Sequence, residues 1–277
     1  MRWTAWCLGK AVAPPALVLG NPELAGWFFL SGRRCRRRSE ARKVTIAIAL
    51  TDDLTSAAVH GCGLVLAVAF AGVLLRRATL PLARLAVVAL GAAWFVLYLC
   101  SIGYHLTRAE QDRSPIALAL DDGAIFVAIA GTYTPVALLA LPPSDRRPLL
   151  VVLWAVAVTG VAAGFVAAST GAVYLYQHSV LAICAAFGWA PAIAYCRTLA
   201  RRVSPRAGVC IALSGVVYVG GAWFYRAYAL PWHHTYWHIA VVVGCLLDFT
   251  AIASLLRSAE RLVAAPIAGP QRRRGST

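Results

Sequence analysis

Long apolar runs alternate with short charged segments through most of the chain. No formal charge interrupts residues 54–75 or 85–107, and the charge-free stretch 148–196 is long enough to cross a membrane twice. A transmembrane helix needs about 20 predominantly apolar residues, and the turn-forming residues 169–171 divide the longest run. The pattern predicts seven membrane-spanning helices, at 54–75, 85–107, 114–141, on either side of 169–171 within 148–196, at 207–225 and at 231–256.

The composition excludes the common soluble classes of protein. Of the 277 residues, 60% are hydrophobic and 13% are charged, and the mean hydropathy is +0.70. Soluble domains have about 45–50% apolar and about 25% charged residues, so we exclude a cytosolic enzyme, a disordered regulator and a coiled coil. The runs do not alternate as the strands of a membrane β-barrel would. We therefore expect an all-α, polytopic protein of the cell membrane, built as a seven-transmembrane-helix bundle.

Neither the charge nor the cysteines point to a more specific class. The formal net charge is +15, but the cations lie between apolar runs, which favours loops at lipid headgroups over nucleic-acid binding. The chain has eight cysteines and no Cys-x-x-Cys pair. Most of them lie within apolar runs, so we expect neither a disulfide framework nor a cysteine-ligated zinc site.

Three segments differ along the chain. Residues 1–50 form a basic N-terminal extension, in which prolines and a glutamate make 14–30 a poor membrane span. The arginine-rich segment 33–38 follows the apolar stretch, which is the wrong order for a signal peptide. We expect this extension to be flexible or amphipathic and to contact anionic lipid headgroups. Residues 51–262 form the seven-helix membrane domain, and residues 263–277 form a disordered basic tail.

Polar residues concentrate near one face of the membrane. We define the N-terminal face as the face from which the first span departs. Seven spans alternate in direction, so the second span ends at this face, and the third, fifth and seventh begin there. The residues at these span ends include every histidine of the chain: His60, His105, His178, His233, His234 and His238, together with Ser101, Asp121 and Asp122. A carboxylate inside a span is costly and usually marks a polar interior.

Three of the histidines suit a metal ion. His234 and His238 are spaced i, i+4, which lets two imidazoles on one helix bind one ion, and His105 ends the second span. Three neutral nitrogens suit Zn²⁺ and leave a fourth position for water, from which Asp121 can accept a proton. Of the other histidines, His233 is expected to anchor the membrane interface. His60 and His178 are expected either to support a metal ligand from behind or to take part in packing.

The two neighbouring carboxylates cannot both face one ion. Adjacent residues on a helix point about 100° apart. Asp122 shares its helix face with Phe126 and Ile129, which suits packing or lipid contact. Spacing alone leaves the choice between Asp121 and Asp122 open.

Three motifs follow one another along the chain. They are Ser-Ile-Gly-Tyr-His at 101–105, Leu-Asp-Asp-Gly-Ala-Ile-Phe-Val-Ala-Ile-Ala-Gly-Thr-Tyr-Thr-Pro at 120–135 and His-Thr-Tyr-Trp-His at 234–238. With the opening segment 53–63, they resemble the hemolysin III family, the bacterial branch of the progestin and adiponectin receptor proteins. The resemblance covers residues 52–258. It implies seven helices around a zinc ion, with these residues at the family's positions: His105, His234 and His238 as ligands, and Asp121 and Ser101 as the catalytic pair.

The resemblance also guides the choice of function. The wider group contains membrane-embedded metal hydrolases such as alkaline ceramidases, and eukaryotic relatives are linked to ceramide hydrolysis, whereas bacterial members take their name from haemolysis. This chain departs from the family in two ways. Asp122 and Asp248 stand where relatives often have histidine, and the loops after the second and fourth spans are poor in arginine.

We expect a zinc-dependent hydrolase of a lipid amide or ester, with a membrane lipid as substrate or ligand and no nucleic-acid partner. The alternatives are a membrane-perturbing hemolysin and a receptor or sensor stabilised by zinc. The resemblance and the arginine-rich segment 33–38 favour a cytoplasmic N-terminal face. The positive-inside rule applied without residues 1–50 favours the opposite orientation.

Overall fold

The computed structural model describes residues 22–110, 114–202 and 204–264. This part of the chain contains no strand and eight helices: α1 (Pro22–Arg77), α2 (Pro81–Ala109), α3 (Pro115–Ala140), α4 (Pro143–Thr170), α5 (Val173–Ala194), α6 (Cys196–Arg202), α7 (Pro205–Arg226) and α8 (His233–Ala264). Seven of these are long and apolar enough to cross a membrane, and the exception is the short helix α6. The predicted all-α, seven-span architecture is confirmed.

The helix boundaries follow local sequence signals. Proline is at the start of α2, α3, α4 and α7, where its missing N–H costs no helical hydrogen bond. Ser114 and Ser204 cap α3 and α7, since each Oγ accepts a hydrogen bond of 3.3 Å from the backbone N–H three residues further on. Helix α4 ends at Gly171, whose φ of +77° favours glycine. The break predicted within 148–196 therefore lies where the turn-forming residues placed it.

The chain divides into two compact units, Met1–Thr51 and Asp52–Thr277. In the first unit, residues 22–51 belong to α1. The rest of the predicted basic extension, residues 1–21, lies outside the described residues, as do residues 265–277 of the predicted tail and the side chains of segment 33–38. The polar contacts that form the candidate site all lie in the second unit.

Helix α3 is central to the second unit, where it contacts α2, α4, α5 and α8. Small residues permit a close approach to α2, because a Cβ at Gly131 would collide with the Cβ of Ala93. Since α3 also carries Asp121 and Asp122 in its second turn, both carboxylates enter the bundle at its centre. Large apolar side chains point outward from the other spans, as lipid contact requires, and examples with about 70% exposure are Val65, Val151 and Leu175.

A buried carboxylate on α1 fixes the start of α8. Asp52 Oδ1 accepts hydrogen bonds from the backbone N–H of Thr235 at 2.9 Å and from its hydroxyl at 2.7 Å. This contact satisfies one of the N–H groups that the first turn of a helix leaves free. Because Thr235 lies between His234 and His238, the same contact sets where these two histidines enter the bundle.

Candidate metal centre

Three histidines from two helices converge at the N-terminal face of the bundle. His105 lies near the end of α2, and His234 and His238 lie in the first two turns of α8. They are 0%, 9% and 2% exposed, and one ring nitrogen from each lies within 4.8 Å of the others. The structure thus brings together the three residues that the sequence predicted as metal ligands, in a buried group that could bind a metal ion.

Hydrogen bonds set which ring nitrogen of each histidine faces the centre. His105 Nδ1 lies 2.9 Å from Asp53 Oδ1, and because a carboxylate only accepts, Nδ1 carries the proton and Nε2 keeps a lone pair. His238 Nδ1 lies 2.7 Å from His60 Nε2, and a proton on Nδ1 likewise leaves a lone pair on His238 Nε2. The two Nε2 atoms are 2.9 Å apart. Two lone pairs repel at this distance unless a proton or a cation lies between them.

The third histidine has a nitrogen without a protein partner. His234 Nε2 is buried and makes no hydrogen bond within the described residues. Buried polar atoms are rarely left unpaired, and a metal ion would supply the missing partner. Three neutral imidazoles with a fourth position open form the protein ligand set of several catalytic zinc sites. The donor chemistry of the group therefore fits Zn²⁺.

Asp53 holds His105 from the far side of its ring. Asp53 is 6% exposed, and its second carboxylate oxygen lies 3.6 Å from Arg108 Nε. A carboxylate on the outer nitrogen of a ligand histidine fixes the tautomer and ring orientation and makes the ring a stronger donor. No such role was predicted for Asp53. Its only signal in the sequence was a carboxylate at the start of an apolar run, in the opening segment 53–63.

His60 holds His238 in a similar way from α1. It is 2% exposed, and its ring centroid lies 4.0 Å from that of His238 in an edge-on arrangement. Its own Nδ1 makes no hydrogen bond within the described part of the chain. The structure therefore places His60 behind a candidate ligand, which is one of the two roles predicted for it.

Both candidate catalytic residues lie beside the histidine group. Ser101 is fully buried one turn before His105. Asp121 is half-buried and lies close enough to Ser101, His105 and Arg108 to interact electrostatically with them. The structure brings these side chains together, and their catalytic roles stay predictions.

Asp122 occupies different surroundings from those of its neighbour. It is 4% exposed, and its Oδ2 makes no hydrogen bond within the described residues. It interacts electrostatically with Tyr176 on α5 and Tyr225 on α7. Of the two surroundings that its helix face suggested, packing is therefore what the structure shows, and Asp122 does not face lipid.

The other polar residues named by the sequence make local contacts. His178 is exposed on α5, and its Nδ1 lies 2.5 Å from the carbonyl oxygen of Tyr174. His233 is half-buried, with its Nδ1 3.1 Å from the carbonyl oxygen of Phe224. Deeper in α8, the buried carboxylate of Asp248 accepts a hydrogen bond of 2.9 Å from a tyrosine hydroxyl of α7, that of Tyr218. None of the three belongs to the group of candidate ligands.

Comparisons with known proteins identify related chains. A profile described as Haemolysin-III related matches residues 48–249. Hemolysin-3 of Bacillus cereus is 28% identical over 210 residues, which cover 73% of this chain and 90% of that protein. The Hemolysin-3 homolog of Bacillus subtilis (strain 168) is 30% identical over 168 residues, which cover 58% of this chain and 73% of that protein. The region matched by the profile includes the three histidines and all of the polar neighbours described above.

Proposed function

Because this chain belongs to the haemolysin-III-related family, we propose that it is a zinc-dependent hydrolase of a lipid amide or ester. The observation that carries the proposal is the buried three-histidine group, with the Asp121 carboxylate and the buried Ser101 hydroxyl beside it. Structural zinc is usually held by four protein ligands, whereas catalytic zinc is held by three and keeps one position open. Three histidines with an acid–base pair alongside therefore favour turnover over a purely structural site.

Each residue of the site has its own role in the proposed reaction, which follows from the chemistry of its side chain. When bound, a zinc ion supplies Lewis acidity that polarises a carbonyl group and acidifies water. Asp121 accepts the proton of the attacking water, because a carboxylate at this position can act as a general base. The Ser101 hydroxyl, which lies beside Asp121, donates a hydrogen bond to the carbonyl oxygen as its negative charge develops. Asp53 and His60 keep the rings that they contact in the tautomers that bind a metal.

The proposed substrate or ligand is a membrane lipid. The histidine group lies inside spans whose outer surfaces are apolar, so an amphiphile can approach from the bilayer without first dissolving in water. The carbonyl groups of lipids lie at the base of the headgroup, which is the depth expected for residues one or two turns inside a span. Anionic headgroups are the proposed partners of the arginine-rich segment 33–38.

The names of the two relatives favour a second candidate, a membrane-perturbing hemolysin. A conducting pore needs polar side chains or carbonyl groups along its whole length. Within the described residues, most buried polar side chains lie near the N-terminal face instead: Asp52, Asp53, Ser56, His60, Ser101, His105, Asp122, His234, Thr235 and His238. This distribution favours a single chemical site over a pore.

Lipid hydrolysis by the purified, zinc-loaded protein tests the proposal. We expect the wild type to cleave at least one N-acyl or O-acyl lipid, and Asp121→Asn to keep its zinc while turnover falls by about 10²–10⁴-fold. Asp248→Asn is the matched control, since it alters another buried carboxylate that accepts its hydrogen bond from Tyr218. Wild-type turnover in Asp121→Asn would contradict the assigned base. Zinc-loaded wild type that cleaves no such lipid would contradict the hydrolase and favour a receptor or sensor.

A further inference from the structure

A group of exposed arginines lies at the membrane face opposite to the histidine group. They stand where α1 ends, where α2 begins and where α8 ends, and we call them the arginine cluster: Arg76, Arg77, Arg84, Arg257 and Arg261. None of their guanidinium groups makes a hydrogen bond or an ion pair within the described residues. Each guanidinium group has five donors, so the cluster presents many donors for which the chain supplies no acceptor there.

Hydrogen bonds to one carboxylate bring the ends of these helices together. Glu260 on α8 accepts hydrogen bonds of 2.8 and 3.2 Å from the backbone N–H groups of Thr79 and Leu80, and a further one from the Thr79 hydroxyl. Arg77 lies two residues before Thr79, at most about 7 Å away between Cα atoms. The backbone N–H of Arg84 donates a hydrogen bond of 3.0 Å to the carbonyl oxygen of Leu80. The arginines of α1 and α2 are therefore held beside the end of α8.

The two arginines of α8 border this contact on one side. Arg257 and Arg261 are spaced i, i+4 on the helix, which puts their Cβ atoms about 5–6 Å apart. At about 100° per residue, they point roughly 60° and 100° to the same side of Glu260. Both guanidinium groups can therefore reach one anionic group that lies beside the connection between α1 and α2.

The positive charge of the arginine cluster is almost uncompensated. Glu260 is the one acidic residue in segments 72–88 and 250–264, and its carboxylate is occupied by the α1–α2 connection. Among the described residues, no arginine lies within ion-pairing distance of Glu260, whereas Arg108 at the N-terminal face lies 3.6 Å from the carboxylate of Asp53. Five positive charges against one negative charge favour an anionic partner from outside the chain.

We propose that the arginine cluster binds the phosphate group of an anionic membrane phospholipid. Arginine donates paired hydrogen bonds to phosphate oxygens, and basic clusters at the ends of membrane spans bind anionic headgroups. The apolar spans of α1 and α8 end at Arg77 and Arg261, which is the level of the headgroups. Just inside Arg84, the side chains of Leu85 and Val88 are 58% and 52% exposed, so they can contact the acyl chains of the same lipid.

The chemistry of the headgroup distinguishes this lipid from other partners. A zwitterionic phospholipid carries an ammonium group that offsets the charge of its own phosphate, so arginines attract it less. A soluble phosphate has no acyl chains to contact the exposed apolar side chains of α2. The arginine cluster lies at the face opposite to the candidate metal centre, so this inference does not depend on the proposed hydrolysis. A bound lipid would join the ends of α1, α2 and α8 and stabilise the folded protein.

Lipid binding to the detergent-solubilised full chain, counted by native mass spectrometry, tests the proposal. We expect dioleoyl phosphatidylglycerol to bind about tenfold or more tightly than dioleoyl phosphatidylcholine, which has the same acyl chains. The double variant Arg257→Gln/Arg261→Gln should lower the affinity for phosphatidylglycerol by about tenfold. The matched control Arg146→Gln/Arg147→Gln removes two arginines from α4, which packs against α3 and α5, and should bind like wild type.

Three outcomes would overturn the proposal. Equal affinity of wild type for the two lipids would show that the headgroup charge is not recognised. An equal loss in the control variant would assign the binding to the overall charge of this face rather than to the arginine cluster. Displacement of phosphatidylglycerol by inorganic phosphate at the same concentration would indicate a site for soluble anions. If Arg257→Gln/Arg261→Gln does not fold, the same loss is expected of Arg76→Gln/Arg77→Gln, and its absence would contradict the site.

Discussion

A single carboxylate and a single imidazole set the orientation of two of the three candidate ligands, His105 and His238. Asp53 fixes the proton of His105 on Nδ1, and His60 contacts the corresponding nitrogen of His238. In both rings this leaves Nε2 as the donor toward the centre. His105, His238 and the two residues behind them therefore form one connected group of side chains that joins α1, α2 and α8.

Removing the carboxylate behind His105 should weaken metal binding. We expect Asp53→Ala to lower zinc affinity by about 10–100-fold, and Asp53→Asn by less, because an amide oxygen can still accept the Nδ1 proton but carries no charge. Competition with a zinc chelator measures the affinity of each variant. Asp248→Asn serves as the control. Unchanged zinc affinity in Asp53→Ala would show that this carboxylate does not support a ligand.

The candidate ligands could be predicted from sequence, but their supports could not. The i, i+4 spacing of His234 and His238 and the position of His105 at a span end place all three at one face without knowledge of the packing. The contacts of His105 with Asp53 and of His238 with His60 join residues 52 and 178 positions apart. Such pairs depend on how three helices are rotated about their axes, and sequence periodicity does not determine that rotation. Asp122 illustrates the same limit, because packing and lipid contact were equally open for its helix face.

At the scale of helices, α8 is tied to its neighbours near both ends. Asp52 caps its first turn, and near its last turns Glu260 accepts hydrogen bonds from the backbone N–H groups of Thr79 and Leu80 at 2.8 and 3.2 Å. The second contact joins α8 to the connection between α1 and α2. These ties hold the helix with two of the candidate ligands in a fixed register against the helices that carry the supports.

Helices α2 and α3 pack so closely at Gly131 that we expect a side chain added there to destabilise the protein. Gly131→Ala places a methyl group against Ala93, and we expect it to destabilise the protein by about 1–3 kcal/mol and to lower the thermal unfolding midpoint. Gly72→Ala is the matched control, because a Cβ there meets no atom within 4 Å and alanine favours a helix. A Gly131→Ala protein as stable as wild type would contradict the packing of α3 against α2.

Most of the helices could be predicted from the sequence, because a membrane span needs a long run of residues without charge. The break at Gly171 followed from its turn-forming neighbours. The start of α1 at Pro22 and the short helix Cys196–Arg202 were not predicted. Both lie in segments with charges, where a helix satisfies its own backbone hydrogen bonds without an apolar run to mark it.

At the scale of the whole molecule, the histidine group lies at one membrane face, and we propose that this face is cytoplasmic. Seven spans then place the C-terminus on the other side of the membrane. We expect a C-terminal fusion to a reporter that is active only outside the cytoplasm to show activity in bacterial cells. Activity of a cytoplasm-only reporter at the same position would reverse the orientation, and it would favour the arginines of the opposite face as the orienting charges.

The most direct test of the account is the metal content of the purified protein. We predict about one zinc ion per chain, with three nitrogen ligands and one oxygen ligand in the X-ray absorption spectrum, as expected for an open three-histidine site. His105→Ala and His238→Ala should each lose most of this zinc, while the control His178→Ala, an exposed histidine of α5, should keep it. Full zinc content in both His105→Ala and His238→Ala, or wild-type protein that binds no zinc, would contradict the assignment of the centre.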